Sequence, residues 1–238
     1  MANLRQRISG RAMRDVIRLG EGLIRHAARD GRRAYFDMAQ FPWNRRFELE
    51  WSDIRAELDT VLRERAGIHP FQVVSEEQHT VTTDDKWRVF MFYIYGTPIE
   101  ASCRRCPRTA ELLATIPGLR NAMFSILAPG KRIPPHRGVY NGLLRMHLAL
   151  KVPVPGDTCV IEVAGEERHW TEGRTLVFDD TLLHSVNNDT DQERVVLFAD
   201  FERPLAWPLA AINKALIAYI GTSPLFRVPL EKFQRGEL

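Results

Sequence analysis

The chain has 238 residues, of which 45% are hydrophobic and 26% are charged, and its formal net charge at pH 7 is +3. These values are typical of a globular protein, and the length fits one large domain with a sizeable core. So small a net charge argues against a polycation built for nucleic acid. There is no apolar run of about 18 residues and no secretory signal, and three cysteines do not suggest a disulfide framework, so we expect a cytoplasmic protein.

The N-terminal segment is rich in arginine, with nine arginines and three acidic residues among residues 1–33. Apolar residues recur there at roughly helical spacing, so the sequence predicts a basic helical extension over residues 1–34. One interpretation is peripheral docking on the acidic inner face of a membrane. The other interpretation is a helix that packs on the domain and leaves its arginine face in solvent.

Residues 35–119 predict a mixed flank of helices and strands. Ser52 is a good N-cap for a helix over residues 53–65, with acidic residues early and arginines late. Residues 87–96 are aromatic and β-branched, which predicts a buried strand. Residues 107–118 predict a short helix that ends at a proline and a glycine.

A C-x-x-C motif lies in this flank, formed by Cys103 and Cys106. A zinc site would need two more ligands, and the chain has no second C-x-x-C pair. A redox role would need a thioredoxin-like context. The motif therefore favours structural thiols near the site.

The pattern changes at about residue 120. Short apolar runs follow each other over residues 120–204 at a spacing of about ten residues, with Pro, Gly, Asn and Asp between them. This pattern predicts a sandwich or jelly roll. Residues 205–238 predict one or two short helices that close over the barrel.

One predicted strand carries charge in an apolar setting. In the segment PPHRGVYNGLLRMHLAL (134–150), alternation along a strand places the leucines and the methionine on one face and Arg145 and His147 on the other. If the apolar face packs outside the barrel, the polar pair points inward, which is costly unless a ligand or partner satisfies it. An arginine in this position is suited to bidentate binding of a carboxylate.

Two further histidines flank the predicted strands. His136 lies before one strand and His184 after another, and two histidines on different strands of a jelly roll can meet at a metal. Non-haem Fe(II) oxygenases commonly use two histidines and one carboxylate. That carboxylate usually stands two residues after the first histidine, where this chain has Gly138.

Several motifs in the same order carry a resemblance to a known family. The segments FSILAPGKRIPPHRG, LRMHLAL and GRTLVFDDTLLHSVNNDTDQERVVLFADFERP resemble the aspartyl/asparaginyl β-hydroxylase family of Fe(II)- and 2-oxoglutarate-dependent dioxygenases. That family also includes bacterial lipid hydroxylases. The resemblance implies a mainly β fold, a double-stranded β-helix (jelly roll) with flanking helices at both termini. It implies a single dioxygenase domain over residues 1–238, with the metal site in the core at residues 120–204.

The resemblance implies a metal site with two protein ligands. By position, His136 and His184 are the ligands of Fe(II) and the first catalytic residues. Gly138 matches family members that lack the carboxylate ligand and leave water there, so an aspartate introduced at position 138 is expected to be tolerated. Asp179 and Asp180 close a turn, or one of them orients His184.

The resemblance also implies a cosubstrate site. Arg194 would pair with the side-chain carboxylate of 2-oxoglutarate, and Ser125 would supply a hydroxyl partner. Arg145 and His147 match a strand that contacts the cosubstrate near the metal, and both are expected to serve catalysis. The alternatives are a structural ion pair for Arg145 and a satisfied core histidine for His147.

The implied activity is hydroxylation of an unactivated C–H bond at the expense of 2-oxoglutarate and O2. Two substrate classes stay open: the β-carbon of an Asp or Asn, free or in a peptide or protein, and the acyl chain of a lipid. The alternative from a different class is a non-catalytic jelly roll that binds a metal or a carboxylated ligand.

Overall fold

The computed structural model describes residues 15–26, 33–74, 82–138, 140–154 and 156–238. Its helices are α1 (15–26), α2 (Asn44–Leu49), α3 (Trp51–Glu64), α4 (Phe71–Val74), α5 (Glu100–Arg105), α6 (Pro107–Leu113), α7 (Leu209–Gly221) and α8 (Pro224–Gln234). Its strands are β1 (Tyr35–Phe36), β2 (His69–Pro70), β3 (Trp87–Ile94), β4 (Thr97–Pro98), β5 (Leu119–Leu127), β6 (Lys131–His136), β7 (Leu143–Lys151), β8 (Cys159–Val163), β9 (Glu166–His169), β10 (Thr175–Phe178), β11 (His184–Asn188) and β12 (Arg194–Glu202).

The strands form two antiparallel sheets. The larger sheet has eight strands in the order β1-β10-β7-β12-β5-β3-β2, with β4 paired to β3. The smaller sheet has four strands in the order β6-β11-β8-β9. Neighbouring strands such as β7 and β12 are distant in sequence, as the crossing connections of a jelly roll require. The predicted mainly β jelly roll with flanking helices is therefore confirmed.

Side-chain alternation along the large sheet separates two apolar cores. On β7, Leu144, Met146 and Leu148 point outward and pack against the flanking helices, including α3 and α6. The opposite face packs against the small sheet, and Phe198 of β12 and Ile161 of β8 belong to this inner core. The period-2 pattern predicted for β7 therefore sets which residues line the space between the sheets.

The start of α3 differs from the prediction. The helix begins at Trp51, so Ser52 lies within its first turn, and the prediction of Ser52 as the N-cap is wrong. Glu50 occupies the cap position with φ −108° and ψ 16°, and no side chain there caps the helix. Because α2 ends at Leu49, the chain passes between the two helices without the extended residue that a side-chain N-cap needs.

The other predicted elements of the flank are present. The aromatic strand over residues 87–96 is β3, and the helix predicted over residues 107–118 is α6, which ends earlier, at Leu113. Of the predicted basic extension, residues 1–14 and 27–32 lie outside the described residues.

The helices at the two ends of the chain meet beside the barrel. Ile24 of α1 packs with Ile217 and Ile220 of α7 and with Tyr140. The Tyr140 hydroxyl donates to Oδ1 of Asn213 on α7 at 2.8 Å. The segment between β6 and β7 is therefore held by both helices.

Among the described residues, no helix combines the length and the apolar character that crossing a membrane would require.

Candidate metal and cosubstrate site

His136 and His184 are brought together by strand pairing. His136 ends β6, His184 begins β11, and the two are register partners. Their ring centroids lie 4.1 Å apart. Nδ1 of His136 lies 2.9 Å from the carbonyl oxygen of Pro134, and Nδ1 of His184 lies 3.0 Å from that of Leu182. Because a carbonyl oxygen only accepts, these contacts assign the proton of each neutral ring to Nδ1 and leave the Nε2 lone pair for a metal.

Burial keeps this histidine pair neutral. It lowers the pKa of His136, and together with the charges of His136 and Arg145 it lowers the pKa of His184 to about 3. Neutral imidazole is the form that binds metals. Two neutral imidazoles from adjacent strands fit a divalent iron. Within the described residues, no cluster of three or more His, Cys, Asp and Glu side chains is arranged to hold a metal.

The position two residues after His136 has no room for a carboxylate. A Cβ atom built on Gly138 would lie 2.1 Å from Oδ2 of Asp180. The Gly138 amide also donates to the carbonyl oxygen of Asp180 at 2.8 Å, which fixes the close approach. The tolerance of an aspartate at position 138 therefore stays a prediction, and such a residue would require the side chain of Asp180 to move.

Arg145 is engaged by two carboxylates. Its Nη2 atom lies 2.8 Å from Oδ2 of Asp180, and its Nε donates to Oδ1 of Asp200 at 2.8 Å. Its guanidinium carbon lies 4.2 Å from the ring centroid of Phe198. The structure thus places Arg145 in an internal ion-pair network, the alternative named for it above. Asp200 was not among the residues predicted for the site, although alternation on β12 places it on the same face as Phe198.

The turn before His184 is closed by Asp179. Oδ1 of Asp179 accepts from the amide of Thr181 at 3.0 Å. The other carboxylate oxygen pairs with Arg203, whose Nε donates to the carbonyl oxygen of Asn141 at 2.8 Å. The two neighbouring aspartates therefore have different partners, Asp179 closing the turn and Asp180 facing Gly138.

His147 is buried without a hydrogen-bond partner. Neither of its ring nitrogens has a partner within the described part of the chain, so the satisfied core histidine does not describe it. Burial, with the charges of Arg194, Arg145 and His184, holds the pKa of His147 well below its usual value. The ring centroid of Phe178 lies 5.0 Å from that of His147 and 6.0 Å from that of His184, so Phe178 bridges the two histidines.

Arg194 is the largest fully buried side chain of the described residues, with 1% of its surface exposed. Its Nε and Nη1 atoms have no hydrogen-bond partner there. Its guanidinium carbon lies 4.5 Å from the ring centroid of Trp170, a contact that the sequence analysis did not anticipate. Burial lowers the pKa of Arg194 to about 10, which leaves the side chain charged at neutral pH. Burying a charge without a counterion is energetically costly. An anionic ligand would offset this cost for the guanidinium of Arg194.

Ser125 faces the same interior. It is buried on β5, and its register partner on β12 is Val196, which shares a strand face with Arg194. Its Oγ atom accepts from Nε1 of Trp87 at 3.0 Å. The hydroxyl hydrogen of Ser125 is therefore available to donate to an anion.

The C-x-x-C motif lies away from these groups. Cys103 Sγ contacts the carbonyl oxygen of Phe92 at 3.7 Å, and Cys106 belongs to the outer core. Burial raises the pKa of the Cys103 thiol and raises that of Cys106 to about 12. Both cysteines are free thiols, as the sequence favoured, but the expectation that they lie near the site is wrong, because they pack with the outer core.

The fold and the paired histidines define a jelly-roll protein of the hydroxylase class. A model of the aspartyl/asparaginyl β-hydroxylase family matches residues 48–204, and the chain belongs to this family.

Relatives of this chain are known in bacteria and animals. An ornithine lipid ester-linked acyl 2-hydroxylase of Rhizobium tropici is 40% identical over 222 residues, covering 93% of this chain and 79% of that protein. The human aspartyl/asparaginyl β-hydroxylase is 33% identical over 166 residues, covering 68% of this chain and 21% of that protein. A mouse aspartate β-hydroxylase domain-containing protein 2 is 37% identical over 132 residues, covering 52% of this chain and 38% of that protein. The chain thus spans most of the bacterial relative but less than two thirds of either animal protein.

Proposed function

We propose that the chain, as a single dioxygenase domain, is an Fe(II)- and 2-oxoglutarate-dependent dioxygenase that hydroxylates the acyl chain of a lipid. The observation that carries the proposal is the buried guanidinium of Arg194, which has two nitrogens without a partner among the described residues. A dicarboxylate would supply the missing charge. Membership of a hydroxylase family supports the same reaction type.

In this proposal His136 and His184 hold the iron through Nε2. Arg194 and the Ser125 hydroxyl hold the distal carboxylate of 2-oxoglutarate at the far end of the interior. Bound Fe(II) supplies the redox chemistry, in which 2-oxoglutarate and O2 give succinate and CO2 while the second oxygen atom enters the substrate C–H bond.

Arg145 and His147 act at the metal end of the cosubstrate in this proposal. Arg145 brings positive charge close to both metal-binding histidines, lowering the pKa of each, so they stay unprotonated. Asp180 and Asp200 fix the orientation of Arg145. His147 is neutral, and its two nitrogens leave it able to accept or donate a hydrogen bond to a ligand.

The lipid substrate is supported by the extent of the bacterial match. The Rhizobium tropici relative, whose name records an ester-linked acyl chain as its substrate, aligns with 93% of this chain. The site rim also suits an amphiphile, because the exposed Arg137 follows His136 and the exposed Leu183 precedes His184. The proposal includes a cytoplasmic location with peripheral contact at the inner face of the membrane.

The β-carbon of an Asp or Asn residue is the second candidate substrate. It is favoured by the 33% identity to the human aspartyl/asparaginyl β-hydroxylase, although that match covers only 68% of this chain.

The test is a comparison of substrates with one protein preparation. Anaerobically purified protein is supplied with Fe(II), 2-oxoglutarate and air, and succinate is measured without substrate, with an ornithine lipid in mixed micelles, and with an Asp-containing peptide. We expect succinate in all three and a mass gain of one oxygen atom on the lipid acyl chain. Hydroxylation of the peptide alone would favour the second candidate. No succinate under any condition would favour a non-catalytic jelly roll.

A further inference from the structure

Helix α1 exposes a row of large apolar side chains. Val16, Leu19 and Leu23 have 42%, 68% and 45% of their surface exposed. They are three and four residues apart and therefore share one helix face. The neighbouring face, with Ile17 and Ile24, is the one that packs against the rest of the protein. We refer to Val16, Leu19 and Leu23 as the α1 outer face.

Close packing fixes which face of α1 points outward. A Cβ atom built on Gly20 would lie 2.2 Å from Cδ1 of Leu216 on α7, so any larger residue there would require the Leu216 side chain to shift. On the other side of the contact, Asn141 Nδ2 donates to the carbonyl oxygen of Glu21 at 3.0 Å. The helix cannot turn its exposed leucines inward without losing both contacts.

Exposed apolar residues are concentrated around this helix. Of the eleven large hydrophobic residues exposed among the described residues, six lie in α1 or in the segment 207–219. This segment contributes Trp207, with 84% of its surface exposed, Ile212 and Tyr219. Leu205, two residues before Trp207, packs in the same cluster as Ile17 of α1. Single exposed apolar residues are normal, but such clustering marks an interaction surface, and exposed Trp and Tyr are typical of membrane interfaces.

The charge of this region is suited to an anionic surface. In α1 itself the exposed Arg18 and Arg25 are balanced by the exposed Asp15 and the partly buried Glu21, so the positive excess comes from the sequence that flanks the helix. At the level of sequence, residues 1–33 carry nine arginines and three acidic residues, an excess of six positive charges (9 − 3) in a chain whose net charge is only +3. An apolar helix face combined with a basic flank is the pattern of helices that lie in a lipid interface.

We propose that the α1 outer face docks on an anionic lipid bilayer and brings the opening of the site to the membrane surface. The functional reason for this docking rests on the proposed lipid hydroxylation, whereas the docking surface itself is inferred from the exposed residues of α1. Asn141, which binds the backbone of α1, lies five residues after His136. The helix that would meet the bilayer is therefore in contact with the segment that follows the metal ligand His136.

Vesicle flotation tests this docking surface directly. The full-length protein is mixed with vesicles of phosphatidylglycerol and phosphatidylcholine, and the double variant Leu19→Ser/Leu23→Ser is compared with wild type. We expect the partition coefficient of the variant to fall at least about tenfold, because two leucines lose their apolar transfer energy. Leu49→Ser is the matched control, since Leu49 has the same 68% exposure as Leu19 but lies at the end of α2, and it should bind as wild type.

Further outcomes of the same experiment decide the proposal. Weaker wild-type binding to pure phosphatidylcholine vesicles, and at high salt, would support it, because screening reduces attraction to anionic lipid. The proposal would be overturned if the double variant bound vesicles as tightly as wild type. It would also be overturned if wild type did not bind anionic vesicles at low salt. Equal loss in Leu49→Ser would overturn it as well. A dimer that dissociates in the double variant would make a second copy of the chain the occupant instead of lipid.

Turnover separates this inference from the proposed function. Succinate formation without vesicles should be unchanged in the double variant, which also shows that the variant is folded. Vesicle binding that depends on Leu19 and Leu23 in a protein without 2-oxoglutarate turnover would overturn the proposed function and leave the docking surface in place.

Discussion

The carboxylate of Asp180 lies where a side chain at position 138 would begin, with Oδ2 only 2.1 Å from the place of a Cβ atom on Gly138. The two residues are joined by a backbone hydrogen bond of 2.8 Å, and Asp180 is tied to Arg145. Gly138 is therefore required by the packing of this site. This requirement does not depend on which ligand takes the metal position that a carboxylate occupies in other oxygenases.

Substitutions of Gly138 should destabilise the protein. Gly138→Ala should lower the free energy of unfolding by about 1–3 kcal/mol, because the new methyl group displaces the side chain of Asp180. Gly138→Asp should cost more, since two carboxylates would then meet in a buried space. Urea unfolding measures both. The control is Gly22→Ala, since a Cβ atom on Gly22 meets nothing within 4 Å. A Gly138→Ala variant as stable as wild type would contradict the packing account.

Arg194 should set the requirement for 2-oxoglutarate. Removing one partner of a buried charged pair costs about 2–5 kcal/mol, so Arg194→Ala should raise the 2-oxoglutarate KM roughly 30-fold or more. Arg194→Lys keeps the positive charge but loses the two parallel N–H donors of the guanidinium. Its KM for 2-oxoglutarate should therefore lie between those of wild type and Arg194→Ala. Titration of 2-oxoglutarate at saturating Fe(II) checks this. Arg132→Ala, an exposed arginine paired with Asp189, is the control. An unchanged KM in Arg194→Ala would make this arginine structural.

The two buried arginines should differ in their effect on stability. Arg145→Met leaves Asp180 and Asp200 buried without their cation and should cost about 3–5 kcal/mol. Arg194→Met removes a guanidinium that pairs with no carboxylate of the described residues, so it should be neutral or stabilising without cosubstrate. Urea unfolding of the metal-free proteins compares the two variants. The reverse order would show that Arg194 is a structural residue and Arg145 a ligand-binding one.

The sequence predicted what depends on local pattern. Alternation on β7 predicted the inward direction of Arg145 and His147, and the spacing of short strands predicted the jelly roll. The pairing of Arg145 with Asp200 joins residues that are 55 positions apart, so no local pattern could predict it. The same limit applies to Asp180, because its proximity to Gly138 depends on how β6 and β11 pair.

Other errors and omissions also have a tertiary origin. Ser52 has the chemistry of an N-cap, but α2 leads directly into α3 and moves the start of the helix. The contact of Trp170 with Arg194 depends on how closely the two sheets approach each other. The local sequence around either residue does not predict that distance. A signal for Asp200 was present as a carboxylate in the apolar strand β12, on the same face as Arg194 and Phe198.

The buried histidines His184 and His147 should each lower metal-free stability in acid, against an opposite contribution from Asp180, whose pKa is raised by burial. The folded-state pKa of His184 is about 3, below the ordinary value of 6.5, and that of His147 is also lowered. Below pH 6.5 the unfolded chain therefore binds protons that the folded protein does not. This stabilisation is complete above that pH and is lost as the pH falls toward 3, by up to about 1.4 kcal/mol per pH unit for each group.

Urea midpoints between pH 5 and pH 8, in the presence of a chelator, measure this slope. His147→Gln should reduce it, because one depressed group is removed. His169→Gln, at a half-exposed histidine, is the matched control. A slope that is the same in His147→Gln and wild type would show that His147 does not titrate as its burial requires.

Succinate formation by the two histidine variants tests the central claim most directly. Wild type, His136→Ala, His184→Ala and the control His169→Ala are each supplied with Fe(II), 2-oxoglutarate and air, without a substrate, and their fold is checked by circular dichroism. We expect wild type and His169→Ala to form succinate, and each of the two site variants to be folded but inactive with strongly weakened Fe(II) binding. Full succinate formation in either site variant would contradict the assignment of this pair as the metal ligands.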